Sequence, residues 1–161
     1  GGAMKQLKSV TKTDTTSTTS TSYVDISGLS VTLTPQSGTN CYVTYHLVLG
    51  MAAGWVAGVQ IVRDSTAIGN GDQYNANNFY ASRGGFLTDQ GAYIHGGNID
   101  YGFLDTHGAD GSTPVTYKLQ WLSAYPQQPT IYLNRSGAGS GNYTYSPNYF
   151  ASTLTVMEVA A

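Results

Sequence analysis

The chain has 161 residues, with seven Lys and Arg against nine Asp and Glu and a formal net charge of −2. That length suits one domain with a sizeable core. So few cations, with Arg63, Arg83 and Arg135 far apart in sequence, argue against nucleic acid as a partner. Charged residues make up 10% of the chain, against roughly 25% in an average globular domain. Thirteen tyrosines beside abundant Thr, Ser and Gly suit an all-β protein that works outside cells or in an assembly. Cys41 is the only cysteine, which excludes an internal disulfide framework and a thiolate zinc site. No apolar run approaches the roughly 20 residues of a membrane-spanning helix, so membrane insertion is not expected.

Residues 1–4, Gly-Gly-Ala-Met, read as a cloning scar. No signal peptide is visible, and exposure as part of a particle would need none. Residues 5–22 form a Ser/Thr-rich segment: eleven of the fourteen residues 9–22 are Ser or Thr. Such a run is either a flexible linker or an edge strand. We favour the edge strand, because no Gly or Pro interrupts it. From Tyr23 onward the chain reads as one domain, 23–161. Tyr23, Val24 and Ile26 anchor it and Gly28 makes a turn. Leu29, Val31 and Leu33 then alternate with polar residues up to Pro35.

Cys41, Val43, Tyr45, Leu47 and Leu49 form the next alternating set. The positions between them, Tyr42, Thr44, His46 and Val48, make this strand largely apolar on both faces. The same holds for Trp55, Ala57, Val59 and Ile61, with Val56 and Val62 between. A strand buried on both faces needs cover on both sides. A sandwich covers one, so the second face is expected to meet a neighbouring subunit. Residues 63–72 read as a strand end and turns, and 73–80 as polar and aromatic without period. Tyr93 and Ile94 resume a strand.

The most regular stretch is 99–122. Ile99, Tyr101 and Phe103 alternate with Asp100 and Gly102, and Val115, Tyr117, Leu119 and Trp121 with Thr116, Lys118 and Gln120. Asp110-Gly111 supplies a left-handed position and Pro114 opens the second run, so the spacing predicts a hairpin. Ile131, Tyr132 and Leu133 add a strand, 137–149 is a Gly, Ser and Tyr loop, and 153–159 is the last strand. Eight or more strands without an amphipathic helix argue for a sandwich or barrel.

Several blocks then resemble a domain common in tail fibre and virion proteins of tailed bacteriophages. They are Thr-Ser-Thr-Ser-Tyr-Val-Asp-Ile-Ser-Gly-Leu-Ser-Val-Thr-Leu-Thr-Pro (19–35), Ile-Val-Arg-Asp-Ser-Thr-Ala-Ile-Gly (61–69) and Phe-Leu-Asp (103–105). Val-Thr-Tyr-Lys-Leu-Gln (115–120), Ile-Tyr-Leu-Asn-Arg-Ser (131–136) and Leu-Thr-Val-Met-Glu-Val (154–159) complete the set. The resemblance implies an antiparallel jelly-roll β-sandwich of the C1q/TNF-like kind. It also implies a homotrimer at a fibre tip or on a virion, in contact with other virion proteins and facing the host. It carries over no catalytic residue. Residues 73–98 and 137–149 match none of the family's blocks.

Chemistry is faint. Asp100 and Asp105 are five apart, so a strand points them to opposite faces, and Asp105 and Asp110 sit in turn contexts where Asp caps its own backbone. No nucleophile elbow is present. His46, His95 and His107 share no ligand spacing. His46 reads as a core or interface residue and His107 as a loop residue. A trimer could bring one copy of His46 or His95 per subunit to its axis, but no metal or cofactor is expected. Asn134-Arg-Ser136 and Asn142-Tyr-Thr144 match the glycosylation sequon, by chance if the source is a phage. The segments best suited to binding carry Tyr74, Asn75, Asn77, Asn78 and Tyr80, and Tyr143, Tyr145, Asn148 and Tyr149. Tyr stacks on sugar C–H faces and Asn both donates and accepts, so a host-surface glycan is the expected ligand, with a host protein as the other possibility. The bland alternative is that these tyrosines pack the loops onto the sandwich. Three functions remain open: a receptor-binding virion domain, a purely structural trimerisation or decoration module, and, least favoured, a polysaccharide depolymerase.

Overall fold

In a computed structural model of the chain, residues 3–51, 56–72, 81, 83–86, 97–124, 130–135 and 149–161 are described. They form eleven strands and no helix: β1 (Met4–Lys12), β2 (Thr16–Thr18), β3 (Val24–Leu33), β4 (Thr39–Met51), β5 (Val56–Arg63), β6 (Thr66–Ile68), β7 (Arg83–Phe86), β8 (Gly97–Asp105), β9 (Val115–Ala124), β10 (Ile131–Leu133) and β11 (Ser152–Ala160). Tyr93 and Ile94 lie outside the described residues.

The strands fall into fewer rows than their number suggests. Along β4, β11 pairs with residues 39–46 and β10 with residues 49–51, while β8 pairs with 41–49. β10 and β11 are therefore two halves of one row. β1 pairs with β11 and β2 with β10, so β1 and β2 also share a row. On β5, β6 takes residues 61–63 and β7 takes 56–59, again as one row beside β5, whose other edge pairs with β9. Eight antiparallel rows result among the described residues. Numbered in chain order, they run 1-8-3-6 in one sheet (sheet A) and 2-7-4-5 in the other (sheet B). This is the antiparallel jelly roll, in which each successive row crosses to the facing sheet except at the step from row 4 to row 5, which stays in sheet B.

Inward-facing residues of the two sheets meet in one core. Val43, Tyr45, Leu47 and Leu49 of β4, Leu154 and Val156 of β11, Val59 and Ile61 of β5, and Tyr117, Leu119 and Trp121 of β9 are all buried in it. The sheets are tied at one edge, where β1 lies against β3. There Lys8 Nζ donates to Thr32 O at 2.9 Å and Gln6 Nε2 to Thr34 O at 3.0 Å.

Four expectations change. The stretch 99–122 is not a hairpin: β8 pairs with β4 in sheet A, and β9 with β3 and β5 in sheet B. Residues 106–114 cross the ~10 Å between the sheets. Alternation shows which face a strand buries but not which strand it pairs with. Within that crossing, Asp110 does cap its own turn. It accepts the Ser112 and Thr113 N–H groups at 2.8 and 2.7 Å, bonds that hold its carboxyl well below the usual range, and Gly111 follows at φ +87°.

Gly28 does not end a strand. It sits at φ +84° inside β3, where the register against β9 shifts between Asp25 and Ser30. Between Asp25 and Ser30 β3 advances five residues while β9 advances two, from Gln120 to Lys118, so the irregularity absorbs three residues. This odd number lets buried Ile26 and Leu29, three apart, face the same core. Asp105 is no turn cap; it is buried at the end of β8 and paired with Arg63. Finally, the second face of β5 needs no neighbouring subunit. Gln60 and Val62, and Leu122 beside them on β9, lie on the outward side yet are 8%, 4% and 3% exposed within the chain itself. On β4 the second face is open: Tyr42 is 41% exposed and the His46 side chain 68%. His46 is therefore a surface residue of this chain.

Candidate functional site

Three rows are interrupted among the described residues, and the breaks in rows 5 and 8 contain both segments singled out for binding. In row 5, β6 reaches Ile68 opposite Ile61 and β7 resumes at Arg83 opposite Val59. Only Gln60 separates these positions on β5, so the two ends of the break, at Ile68 and Arg83, lie close together. The neck is held by Gly71 N donating to Ala81 O at 3.1 Å and by Tyr101 Oη donating to Gly69 O at 2.9 Å. Gly69 is required there: its φ is +66°, and a Cβ would lie 2.8 Å from the Phe103 ring. Asn70 Nδ2 donates to Gln60 Oε1, Gln60 Nε2 to Gln120 Oε1, and Gln120 Nε2 to Asp25 Oδ1, at 3.0, 2.8 and 2.7 Å. A ladder of amides thus runs across the outer side of sheet B from this neck.

Row 8 is interrupted in the same way. β10 ends at Leu133 opposite Leu49, and β11 has Thr153 opposite His46. The two ends of this break are separated by two positions on β4. Asn134 organises this neck. It is fully buried and left-handed, at φ +61°, a conformation Asn tolerates better than other non-glycine residues. Its Nδ2 donates to Lys12 O and Asp14 O at 2.7 and 3.0 Å, and its Oδ1 accepts the Ser152 hydroxyl at 2.6 Å. Its N–H donates to Val48 O, and its carbonyl accepts from Phe150 N at 2.9 Å. One residue thus ties rows 1, 3 and 8 where row 8 is broken. The sequon reading of Asn134 is excluded by this burial. Arg135 and Tyr149 form an antiparallel bridge beyond it.

Of the predicted site residues, Tyr74, Asn75, Asn77, Asn78, Tyr80, Tyr143, Tyr145 and Asn148 lie outside the described residues. Tyr149 is described and is 73% exposed. The structure adds two residues the sequence reading missed: Tyr132, and Arg135, whose Cζ lies 4.4 Å from the Tyr132 ring centroid. The two are three apart with a left-handed residue between them, a spacing that carries no recognisable signal in a strand.

Titratable groups elsewhere serve the fold. Arg63 Nη1 donates to Asp105 Oδ1 and Oδ2 at 2.6 and 2.8 Å, and Tyr117 Oη donates to Oδ2 at 2.7 Å. Burial, then the bond to Asp105, pushes the Tyr117 phenol far up. Burial likewise raises the Cys41 thiol beside it. At the far end of sheet A, Glu158 is buried and accepts Gln6 Nε2 at 2.5 Å, Gln36 N at 2.7 Å and the Thr39 hydroxyl at 2.7 Å. Burial pushes its carboxyl up. The three bonds, with His107 nearby, outweigh that and hold it below the usual range. Asp100 and Asp105 do face opposite ways, Asp100 pairing with His46 at 2.6 Å on the surface. Among the described residues no three His, Cys, Asp or Glu side chains are grouped to hold a metal, and no helix is long and apolar enough to cross a membrane.

No protein-family model matches the chain, and no curated protein does. Solved structures of infectious bursal disease virus are similar to it. The Gx strain superposes with a TM-score of 0.48 at 16% identity, covering 97% of this chain and 37% of that one. The Gt strain gives 0.39 at 14% identity, and the VP2 subviral particle 0.37 at 12%, each covering 97% of this chain and 38% of the other. The chain thus spans a little over a third of the proteins it resembles. The jelly-roll order stands on its own hydrogen bonds.

Proposed function

We propose that this chain is a non-enzymatic virion structural domain, the tip or appendage of a phage tail fibre. It assembles as a homotrimer, contacts other virion proteins and recognises a host-surface glycan through 73–80 and 137–149. One observation carries this reading: rows 5 and 8 break at the two segments that lose alternation and resume beyond them, with hydrogen-bonded residues flanking each break. A sheet that continues past an excursion does not need the excursion for its own pairing, which leaves its sequence free to serve recognition. The blocks shared with tail fibre domains supply the virion context and fall on the strands. Three copies per trimer turn weak single-site contacts into useful avidity.

The test replaces Tyr143, Tyr145 and Tyr149 by Ala in one variant, and Tyr74 and Tyr80 in another. The two necks open from different sheets, so the sets are read separately. Binding to host cells and to their isolated surface polysaccharide should fall strongly in at least one variant, with the melting temperature nearly unchanged. Lower stability with intact binding in both overturns the reading and leaves a structural module. Release of reducing ends from the polysaccharide would reveal a depolymerase.

A further inference from the structure

We infer that β1 is an acid-released strap: it comes away from β3 and β11 when the buried Glu158 carboxylate that clamps it is protonated, while the rest of the jelly roll stays folded. β1 is lightly attached. Among the described residues, row 1 puts no side chain into the buried apolar core, and only Val10 packs against that core, partly buried. Met4 and Leu7 are 58% and 49% exposed. β1 therefore holds by its backbone ladder to β11 on one edge and by side chains to β3 on the other. A segment that buries so little apolar surface opens at a lower free energy than the core does.

The clamp sits near the start of β1, where Glu158 opposes Gln6 on one side and Cys41 on the other. Its three bonds gather Gln6 of β1, Gln36 of the turn between β3 and β4, and Thr39 of β4. Gln6 Nε2 also donates to Thr34 O at 3.0 Å, so one amide joins Glu158 to β3. All three bonds use the carboxylate as acceptor. Protonation puts an O–H donor among groups that are themselves donating. The titratable groups around the clamp are few. His107, on the crossing 106–114, has its Nε2 3.4 Å from Thr39 Oγ1. Burial holds the Cys41 thiol neutral, and Asp105 beyond it is paired with Arg63. Lys8 of β1 is turned to Thr32 O, and Lys12, at the far end of β1, pairs with Asp14 at 2.9 Å. With β1 in place the Glu158 carboxyl is held below its ordinary 4.5. When β1 leaves, that hold weakens, so the open strap takes up the proton more readily and acid favours it.

The experiment follows amide hydrogen exchange of the full chain by NMR between about pH 6 and pH 3.5. Rates are read as protection factors, so the intrinsic pH dependence of exchange cancels. Below about pH 4.5 the opening of β1 should rise by up to about tenfold per pH unit, the limit for one proton. The amides of β9 should keep their protection. Along β11 every second amide should follow β1, because successive amides of an antiparallel strand point to opposite neighbours, and those bonded to β4 should not. Glu158→Gln should open β1 already at pH 6 and remove the pH dependence. Asp14→Asn should leave that dependence in place, which separates the clamp from the Lys12 pair. Gln6→Ala cuts the side-chain bond of β1 to the clamp, and reads the same opening at pH 6 if Glu158→Gln fails to fold. Loss of protection in β1 and β9 together at every pH overturns the strap, and so does a pH dependence that survives Glu158→Gln or Gln6→Ala.

Discussion

Asp105 and Glu158 show how a chain with so few charges spends them. Asp105 has an Arg63 cation and a Tyr117 hydroxyl on it, with its side chain 5% exposed. Asp105→Ala should lower stability by about 3–5 kcal/mol, since it leaves a half-buried guanidinium and a buried hydroxyl without their acceptor. Urea unfolding measures this, with Tyr117→Phe, costing about 1 kcal/mol, as the milder partner. Glu158 yields a pH prediction. Its folded pKa lies below the ordinary 4.5, so the folded state binds that proton less readily than the unfolded one. Its contribution is then fully present above about pH 4.5 and is lost as pH falls through the folded value. Glu158→Gln should destabilise the protein by about 1–2 kcal/mol at pH 7. The difference from the unmodified chain should shrink below pH 4, read from melting temperatures across a pH series.

At the scale of elements, two positions decide pairing. β11 lies between β1 and β4, bonded to both. Truncation after Ala151 therefore removes an inner row together with buried Leu154 and Val156, and should abolish soluble expression. A folded truncated chain would contradict the sheet order. Gly102 faces outward on β8, and a Cβ there would collide with the Tyr42 hydroxyl. Gly102→Val adds a residue that favours strands, yet it should lower stability by about 1–3 kcal/mol by displacing the Tyr42 ring. Thermal melting reads the sign: stabilisation would mean that Tyr42 gives way freely.

At the scale of the whole molecule, the outer side of sheet A carries one apolar row. Leu7 opposes Met157, Met157 opposes Tyr42, and Tyr42 opposes Leu104. Leu7 and Leu104 are 49% and 50% exposed. The proposed trimer would cover this row, and light scattering at micromolar concentration should then report three copies. Leu104→Glu should shift the population towards monomer and leave the stability of the monomer within about 0.5 kcal/mol, because the side chain is exposed in the single chain. A monomer at all concentrations would remove the assembly from the proposal.

Much of this architecture is already determined by the residues themselves. Period-2 alternation selects the buried face of β3 after Gly28 and of β8, β9 and β11 directly, because successive side chains on a strand point opposite ways. Pro114, Asp110 and Gly111 set the turn before β9 through local backbone chemistry. Pairing was settled only in three dimensions. β8 and β9 read as a hairpin because nothing local distinguishes a nine-residue crossing from a long loop, and their separation depends on β4 and β3 competing for their edges. The bulge at Gly28, the burial of Asp105 and the covered second face of β5 likewise depend on distant residues. The candidate site divides in the same way. Lost alternation and composition single out its tyrosines and asparagines as expectations, and of these only Tyr149 lies among the described residues, exposed at 73%. The neck at Asn134, and the placing of Arg135 between Tyr132 and Tyr149, required the row of β10 and β11 to break against β4, a contact between segments more than 80 residues apart.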